Sequence, residues 1–288
     1  MLKVLTVFGT RPEAIKMAPV IKELRKRPDV ACKMCVTDQI ADLLFTTEKD
    51  AKGNLLREGV AKEKIHFVGN VMIDTLLRHK ERALALDVLG RYGLEPGRGQ
   101  SRHSKGQAQR HCPYALLTLH RPSKVDVPEA LEGILDALAE IQARLPILFP
   151  AHPRTVKRVR ESGFEGRLAA MPNLRVTEPL AYLEFLNLIA NGRLALTDWG
   201  GIQGETTVLG VPCLTLRKNT ERPVTVTQGT STVVGCDPQR IVEEALAILD
   251  GPGKAGRVPE LWDGRAAERI VEVLAARFSS PMPPLPKS

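Results

Sequence analysis

R-L-A-L-T-D-W-G-G-I-Q-G-E-T-T-V-L-G-V-P-C-L-T-L-R-K-N-T-E-R, Arg193 to Arg222, runs from strand through turn and helix to strand without a break. The apolar run Leu194 to Leu196 ends in Thr197-Asp198, and the pair Gly200-Gly201 turns the chain into a helix beginning near Ile202. Gly210 ends that helix, and the apolar strand Val211 to Leu216 follows at once. A βαβ unit of this kind puts its glycine turn at a strand's carboxyl end and a helix's amino end, the two features that make an anion site. Glycine lets backbone approach a phosphate, and the first helical N–H groups have no partner inside the helix. Glu205, one turn in, is placed to accept hydrogen bonds from a sugar or ribose hydroxyl. The same residues also suit a plain strand–turn–helix that needs glycine only for its bend.

The alternation continues on both sides of this unit. Upstream, Leu2 to Phe8 reads as a strand, and Gly9-Thr10-Arg11-Pro12-Glu13 turns into a helix reaching about Arg27. Pro12 suits the first helical position and Glu13 its positive end. Arg11 and Lys16 are the cations nearest that strand's end, placed either for a diphosphate or carboxylate or as solvated charge. Val30 to Val36 is the second strand, Ile40 to Thr46 the next apolar segment, and a helix follows from Glu48 to about Glu58. Ile65 to Val68 is a strand, and a helix continues from Val71 towards Leu89. Residues 91–113 are rich in Gly, Ser, Gln and Arg and read as a basic linker.

Beyond the linker, Tyr114 to Leu119 is a strand ending in His120-Arg121, and a helix spans about Pro128 to Arg144, with Ile134, Leu135, Leu138 and Ile141 on its apolar face. Pro146 to Pro150 is a strand ending at His152, followed by a basic helix, the segment Leu174 to Val176 and the helix Leu180 to Ala190. A last helix runs from Pro238 to about Leu249. Strands alternating with helices predict a parallel, doubly wound α/β sheet with right-handed crossovers. Ligands sit at the carboxyl ends of strands in such sheets, which is where His120, His152, Asp198 and Gly200 fall. Either histidine would serve equally as a capping or packing residue.

Composition narrows the function classes. The net charge of +8 favours acidic partners, yet its one dense cluster, Arg98 to Arg110, has no interleaved aromatics. Nucleic-acid binding is therefore not expected. No apolar run is long enough to cross a bilayer, and the amino terminus reads as a strand, so a cytoplasmic protein with no membrane partner is expected. Cys32 and Cys35 form a C-x-x-C, but no second pair completes a zinc site and the motif lies in a strand. They read as buried thiols.

Five motifs carry a resemblance. F-G-T-R-P-E-A-I-K-M-A-P (Phe8 to Pro19), V-G-N-V-M-I-D (Val68 to Asp74), L-H-R-P-S (Leu119 to Ser123), T-D-W-G-G-I-Q-G-E (Thr197 to Glu205) and T-E-R-P (Thr220 to Pro223) resemble the non-hydrolysing bacterial UDP-N-acetylglucosamine 2-epimerases. That resemblance implies two Rossmann-like domains of the GT-B type, a homodimer, and interconversion of UDP-GlcNAc and UDP-ManNAc, a precursor of cell-surface polysaccharide. The route is elimination of UDP followed by its re-addition, without metal or redox cofactor. It implies a catalytic role for His120 and places Arg11 and Lys16 in the cleft. It likewise gives Gly200 and Gly201 to the diphosphate turn, Glu205 to the ribose, Phe185 to the uracil and Arg222 to the nucleotide. The boundaries that follow are 1–90 for a shortened N-terminal domain, 91–113 for the linker, 114–275 for a UDP-binding domain and 276–288 for a tail.

Two departures from the family pattern shape the expected activity. After Thr37 the family continues through several βα units that carry its catalytic Asp and two Glu, whereas here Asp38-Gln39-Ile40 resembles a much later segment. Little or no epimerase turnover by the lone chain is expected, leaving a UDP or UDP-sugar binding remnant, or a GT-B glycosyltransferase, as alternatives. The second departure is in the glycine turn, where the family has serine and glutamate at the positions of Trp199 and Gly204. The indole either obstructs the pocket or swings away from it.

Overall fold

The structure, a computed structural model, describes residues 2–6, 19–20, 23, 26, 30–34, 43–94 and 112–278. The chain divides into two compact units, residues 1–78 with 259–288, and residues 79–258.

In the first unit, β1 (Leu2–Thr6) pairs in parallel with β2 (Val30–Met34), which carries Cys32. Strand β3 (Leu44–Thr46) pairs in parallel with β4 (Ile65–Phe67) across the helix Lys49–Arg57. Arg11, Lys16 and Cys35 lie outside the described residues. The helix Ala266–Phe278 corrects the expected boundary at 275, because residues 259–275 belong to this unit. The physical cause is a set of long-range caps. Both carboxylate oxygens of buried Asp74 accept the first amides of that helix, Ala266 N at 3.1 Å and Ala267 N at 2.7 Å. The Trp262 indole donates to the Thr47 carbonyl at 2.9 Å. Ala267, Ile270 and Val271 then bury against Val20 and Val68. The helix presents its apolar residues to this core at the three- and four-residue spacing that a helix imposes.

The second unit is one six-stranded parallel sheet. Its strands are β5 (Cys112–Thr118), β6 (Ile147–Pro150), β7 (Leu174–Thr177), β8 (Gly192–Thr197), β9 (Cys213–Thr215) and β10 (Ser231–Val233). Their order is β10-β9-β8-β5-β6-β7. Counted within the unit this is 3-2-1-4-5-6 read from the β7 edge, the doubly wound arrangement expected from the sequence. The helix Pro128–Arg144 buries Leu131, Ile134, Leu135, Leu138 and Ile141 on the sheet, and Pro238–Asp250 adds Ile241, Val242, Ala245 and Ile248. Each of the Leu, Ile and Val side chains contributes about 1.5–3 kcal/mol when it leaves water.

The expected linker is shorter than 91–113 at both ends. Cys112 and Pro113 belong to β5. Residues 90–92 form a 3₁₀ turn held to the unit, Arg91 pairing with Glu184 at 2.6 Å and the Tyr92 carbonyl accepting from Arg175. Beyond the elements expected from the sequence, the structure adds the short helices Pro122–Val125, Glu165–Ala169 and Pro223–Thr227, strand β10 and the long helix at Ala266. Among the described residues no helix is long and apolar enough to cross a membrane.

Candidate functional site

Strand order decides where the site lies. β5 and β8 are neighbours at the point where the order reverses, since β6 and β7 continue to one side and β9 and β10 to the other. Crossover helices leave opposite faces of the sheet there, opening a crevice at the strands' carboxyl ends. The register pairs Thr118 with Thr197, and their hydroxyls bond at 2.8 Å. The residues just beyond, His120 and Asp198, therefore emerge side by side.

Asp198 is the anchor of that corner. It is 0% exposed, and its Oδ2 accepts the backbone amides of His120 at 2.9 Å and Arg121 at 2.8 Å. Its Oδ1 stands 2.9 Å from His120 Nδ1. Burial alone pushes the carboxyl up, but the His120 side chain and the two amides outweigh it and hold Asp198 below the usual carboxylate range. A carboxylate beside Nδ1 favours the tautomer that carries its proton there, which leaves Nε2 as the other ring nitrogen. The His120 side chain is 44% exposed, whereas Asp198 is wholly buried. Sequence reading placed Asp198 at a strand end without assigning it this part.

The helix Gly200–Leu209 starts at the same corner, with Trp199 as its N-cap residue and no side chain capping it. Gln203, in its first turn, accepts the hydroxyls of Thr220 at 2.6 Å and Thr225 at 3.2 Å. Thr220 in turn accepts the Arg222 amide at 3.0 Å. These bonds draw the T-E-R-P loop across the helix start, where a Cβ on Gly200 would stand 3.8 Å from Arg222 Cγ and 3.9 Å from Glu221 Oε2. Gly200, Gly201, Arg222 and His120 are thus brought together. Glu221 Oε1 lies 3.1 Å from both Arg121 and Arg217. Burial is the largest single influence and raises its carboxyl, but the Arg217 and Arg121 partners together prevail and lower it. Arg121 and Arg217 add two cations that the sequence pattern did not single out.

Glu205 sits beneath the glycine turn and is 1% exposed. The Tyr182 hydroxyl donates to its Oε1 at 3.3 Å. Burial pushes the Glu205 carboxyl up to about 7, the Tyr182 bond pulling the other way. Burial and the neighbouring acid push the Tyr182 hydroxyl well above the usual phenol range. Phe185 stands on the same helix as Tyr182, three residues on and so on the same face. His152 is not part of this group: its Nδ1 accepts the Arg154 amide at 3.2 Å, capping the helix Pro153–Glu161. Among the described residues no group of three or more His, Cys, Asp and Glu side chains is placed to hold a metal.

Comparison with known proteins bears on the family and the fold. A family model described as UDP-N-acetylglucosamine 2-epimerase matches residues 33–275. The chain is 37% identical over 241 residues to the UDP-N-acetylglucosamine 2-epimerase of Methanocaldococcus jannaschii, covering 83% of this chain but only 62% of that relative. Against the Salmonella typhimurium enzyme of the same name it is 27% identical over 384 aligned residues, which take in 95% of this chain and 98% of the relative. An alignment longer than the 288 residues present here passes over stretches of that relative with no counterpart in this chain. The crystal structure of the Methanocaldococcus jannaschii UDP-GlcNAc 2-epimerase in complex with UDP-GlcNAc and UDP superposes with a TM-score of 0.80 at 25% identity. That match covers 96% of this chain and 100% of the other.

Proposed function

Because the chain belongs to the UDP-N-acetylglucosamine 2-epimerase family, we propose that residues 79–258 bind UDP, free or as the leaving group of UDP-GlcNAc and UDP-ManNAc. The observation that carries this reading is the meeting of the His120–Asp198 pair with the Gly200 helix start at the strand-order reversal. Unsatisfied helix amides, Arg222 and the arginines that Glu221 bridges would receive the diphosphate. Glu205 and Phe185 would take the ribose and uracil. Arg11 and Lys16 belong to the same reading as further cations on the leaving group.

The family's reaction exchanges configuration at C2 by losing UDP across C1–C2 and adding it back. The amides and cations would stabilise the departing diphosphate, and His120 would move a proton. One group cannot act as both the base at C2 and the separate acid, and the carboxylates that the family uses lie in the block without counterpart here. The lone chain therefore holds the nucleotide without turning it over at an enzyme's pace. By the same resemblance it would pair as a cytoplasmic homodimer, a point for sedimentation equilibrium.

Calorimetry with UDP and an assay of UDP-ManNAc formation from UDP-GlcNAc test these statements separately. Binding that weakens at least tenfold on Arg222→Ala is expected. No heat at millimolar concentrations would remove the nucleotide reading, and turnover within the common range of about 1–10³ per second would refute the claim of impairment.

A further inference from the structure

The Trp199 indole lies on the first turn of the helix that the diphosphate would approach. A Cβ added to Gly201 would meet three atoms of the indole's benzo ring and its junction, Cζ2 at 2.7 Å, Cη2 at 2.8 Å and Cε2 at 2.9 Å. Only a glycine tolerates that ring at this distance. The indole also meets the His120 imidazole edge-on, with centroids 6.1 Å apart and planes at 86°. One ring therefore touches both the residue that would move a proton and the turn that would hold the phosphates.

Its chemistry is wrong for either neighbour. The N-cap position ordinarily supplies a side-chain oxygen to the first helical amides, and the indole has a single N–H donor and no acceptor. Trp199 has the extended backbone of an N-cap, φ −109° and ψ 130°, without any side-chain cap bond. The same turn holds groups that an anion would engage. Gly200 is buried beside Arg222, and Gln203, fully buried, has an amide nitrogen with no hydrogen-bond partner. A side chain packed on backbone by dispersion, with no hydrogen bond anchoring it to the turn, can leave through a change of rotamer alone.

We propose that Trp199 gates the diphosphate subsite, its indole having to turn off Gly201 before a nucleoside diphosphate reaches the helix amides. This inference rests on the nucleotide reading above. It makes binding a selection among indole rotamers, so the affinity of the chain for UDP is reduced by the fraction of molecules in which the gate stands open. A uridine without phosphates has no need of the amides and is indifferent to the gate.

The test compares the parent chain with Trp199→Ser and Trp199→Phe by calorimetry, using UDP and uridine as separate probes. Trp199→Ser should bind UDP at least tenfold more tightly while its affinity for uridine stays put, and Trp199→Phe should remain near the parent. If UDP binds the parent and Trp199→Ser within twofold of one another, the gate is overturned and the nucleotide reading survives. If none of the three proteins binds UDP, both fall together. An independent readout covers the case of a serine variant that folds poorly. The chain has two tryptophans, so Trp262→Phe leaves Trp199 as its one indole fluorophore. Saturating UDP should shift that emission to the red as the ring enters water, and uridine should not. An unchanged spectrum at saturating UDP overturns the proposal.

Discussion

Replacing Glu205 with glutamine should change how the stability of this protein depends on pH. Glu205 is 1% exposed and burial pushes its carboxyl from 4.5 up to about 7. The folded chain thus keeps a proton that the unfolded chain has already lost across that interval, and stability falls as pH rises from about 4.5 to about 7. A shift of this size corresponds to ~3 kcal/mol at pH 8, where the carboxylate is ionised in both states. At pH 5 the same linkage leaves a penalty below ~1 kcal/mol. The replacement amide carries no charge and still offers an oxygen to Tyr182, so its own packing cost is the same at either pH. The advantage of Glu205→Gln over the parent should therefore grow by ~2 kcal/mol between pH 5 and pH 8. Urea unfolding at several pH values, followed by the far-ultraviolet signal, measures it. A difference that stays flat within ~0.5 kcal/mol across that range would refute the argument, since it would mean that Glu205 is solvated like any surface acid.

Three further outcomes are expected. Asp198→Asn puts an amide NH₂ among donors that now share a carboxylate, and should cost about 2–3 kcal/mol by denaturant unfolding at neutral pH. Because the Asp198 carboxyl is held below its ordinary value, the stability it contributes is present above pH 3.8 and lost as pH falls through the lower folded value, so the gap to Asp198→Asn should close in acid. Asp74→Ala strips the two amide caps from the helix Ala266–Phe278, which should cost about 1–2 kcal/mol and speed hydrogen exchange at Ala266 and Ala267. Trp262→Ala removes an indole 2% exposed together with its bond to the Thr47 carbonyl, and should cost about 3–5 kcal/mol in the melting of the first unit. No loss there would mean that the carboxyl-terminal segment does not fold onto residues 1–78.

Much of the second unit was legible in local pattern. The helix expected over Pro128 to Arg144 forms over those residues, because apolar spacing of three and four leaves one buried face and Pro128 suits the first helical turn. The turn at Gly200 was legible because glycine pairs mark the passage from strand to helix. The short strand β10, Ser231–Val233, was not, since three residues cannot display a period. The helix at Ala266 has a readable period, yet its allegiance to the first unit depends on Asp74, almost two hundred residues away in the chain.

The glycine-turn stretch shows where local information ends. Sequence alone determined that Arg193 to Arg222 is a βαβ unit presenting helix amides at a strand's end, because side-chain spacing and glycine are properties of a few consecutive residues. It also supplied the family, through motifs matched in order. Only the tertiary structure decided that β5 lies against β8, so that His120 and Asp198, 78 residues apart, share one corner. Only there does Glu205 become a buried acid rather than an open one, since burial is set by everything packed around a residue. And only there does the Trp199 indole settle on Gly201 instead of turning away, because a rotamer is chosen by the neighbours that the fold brings within reach.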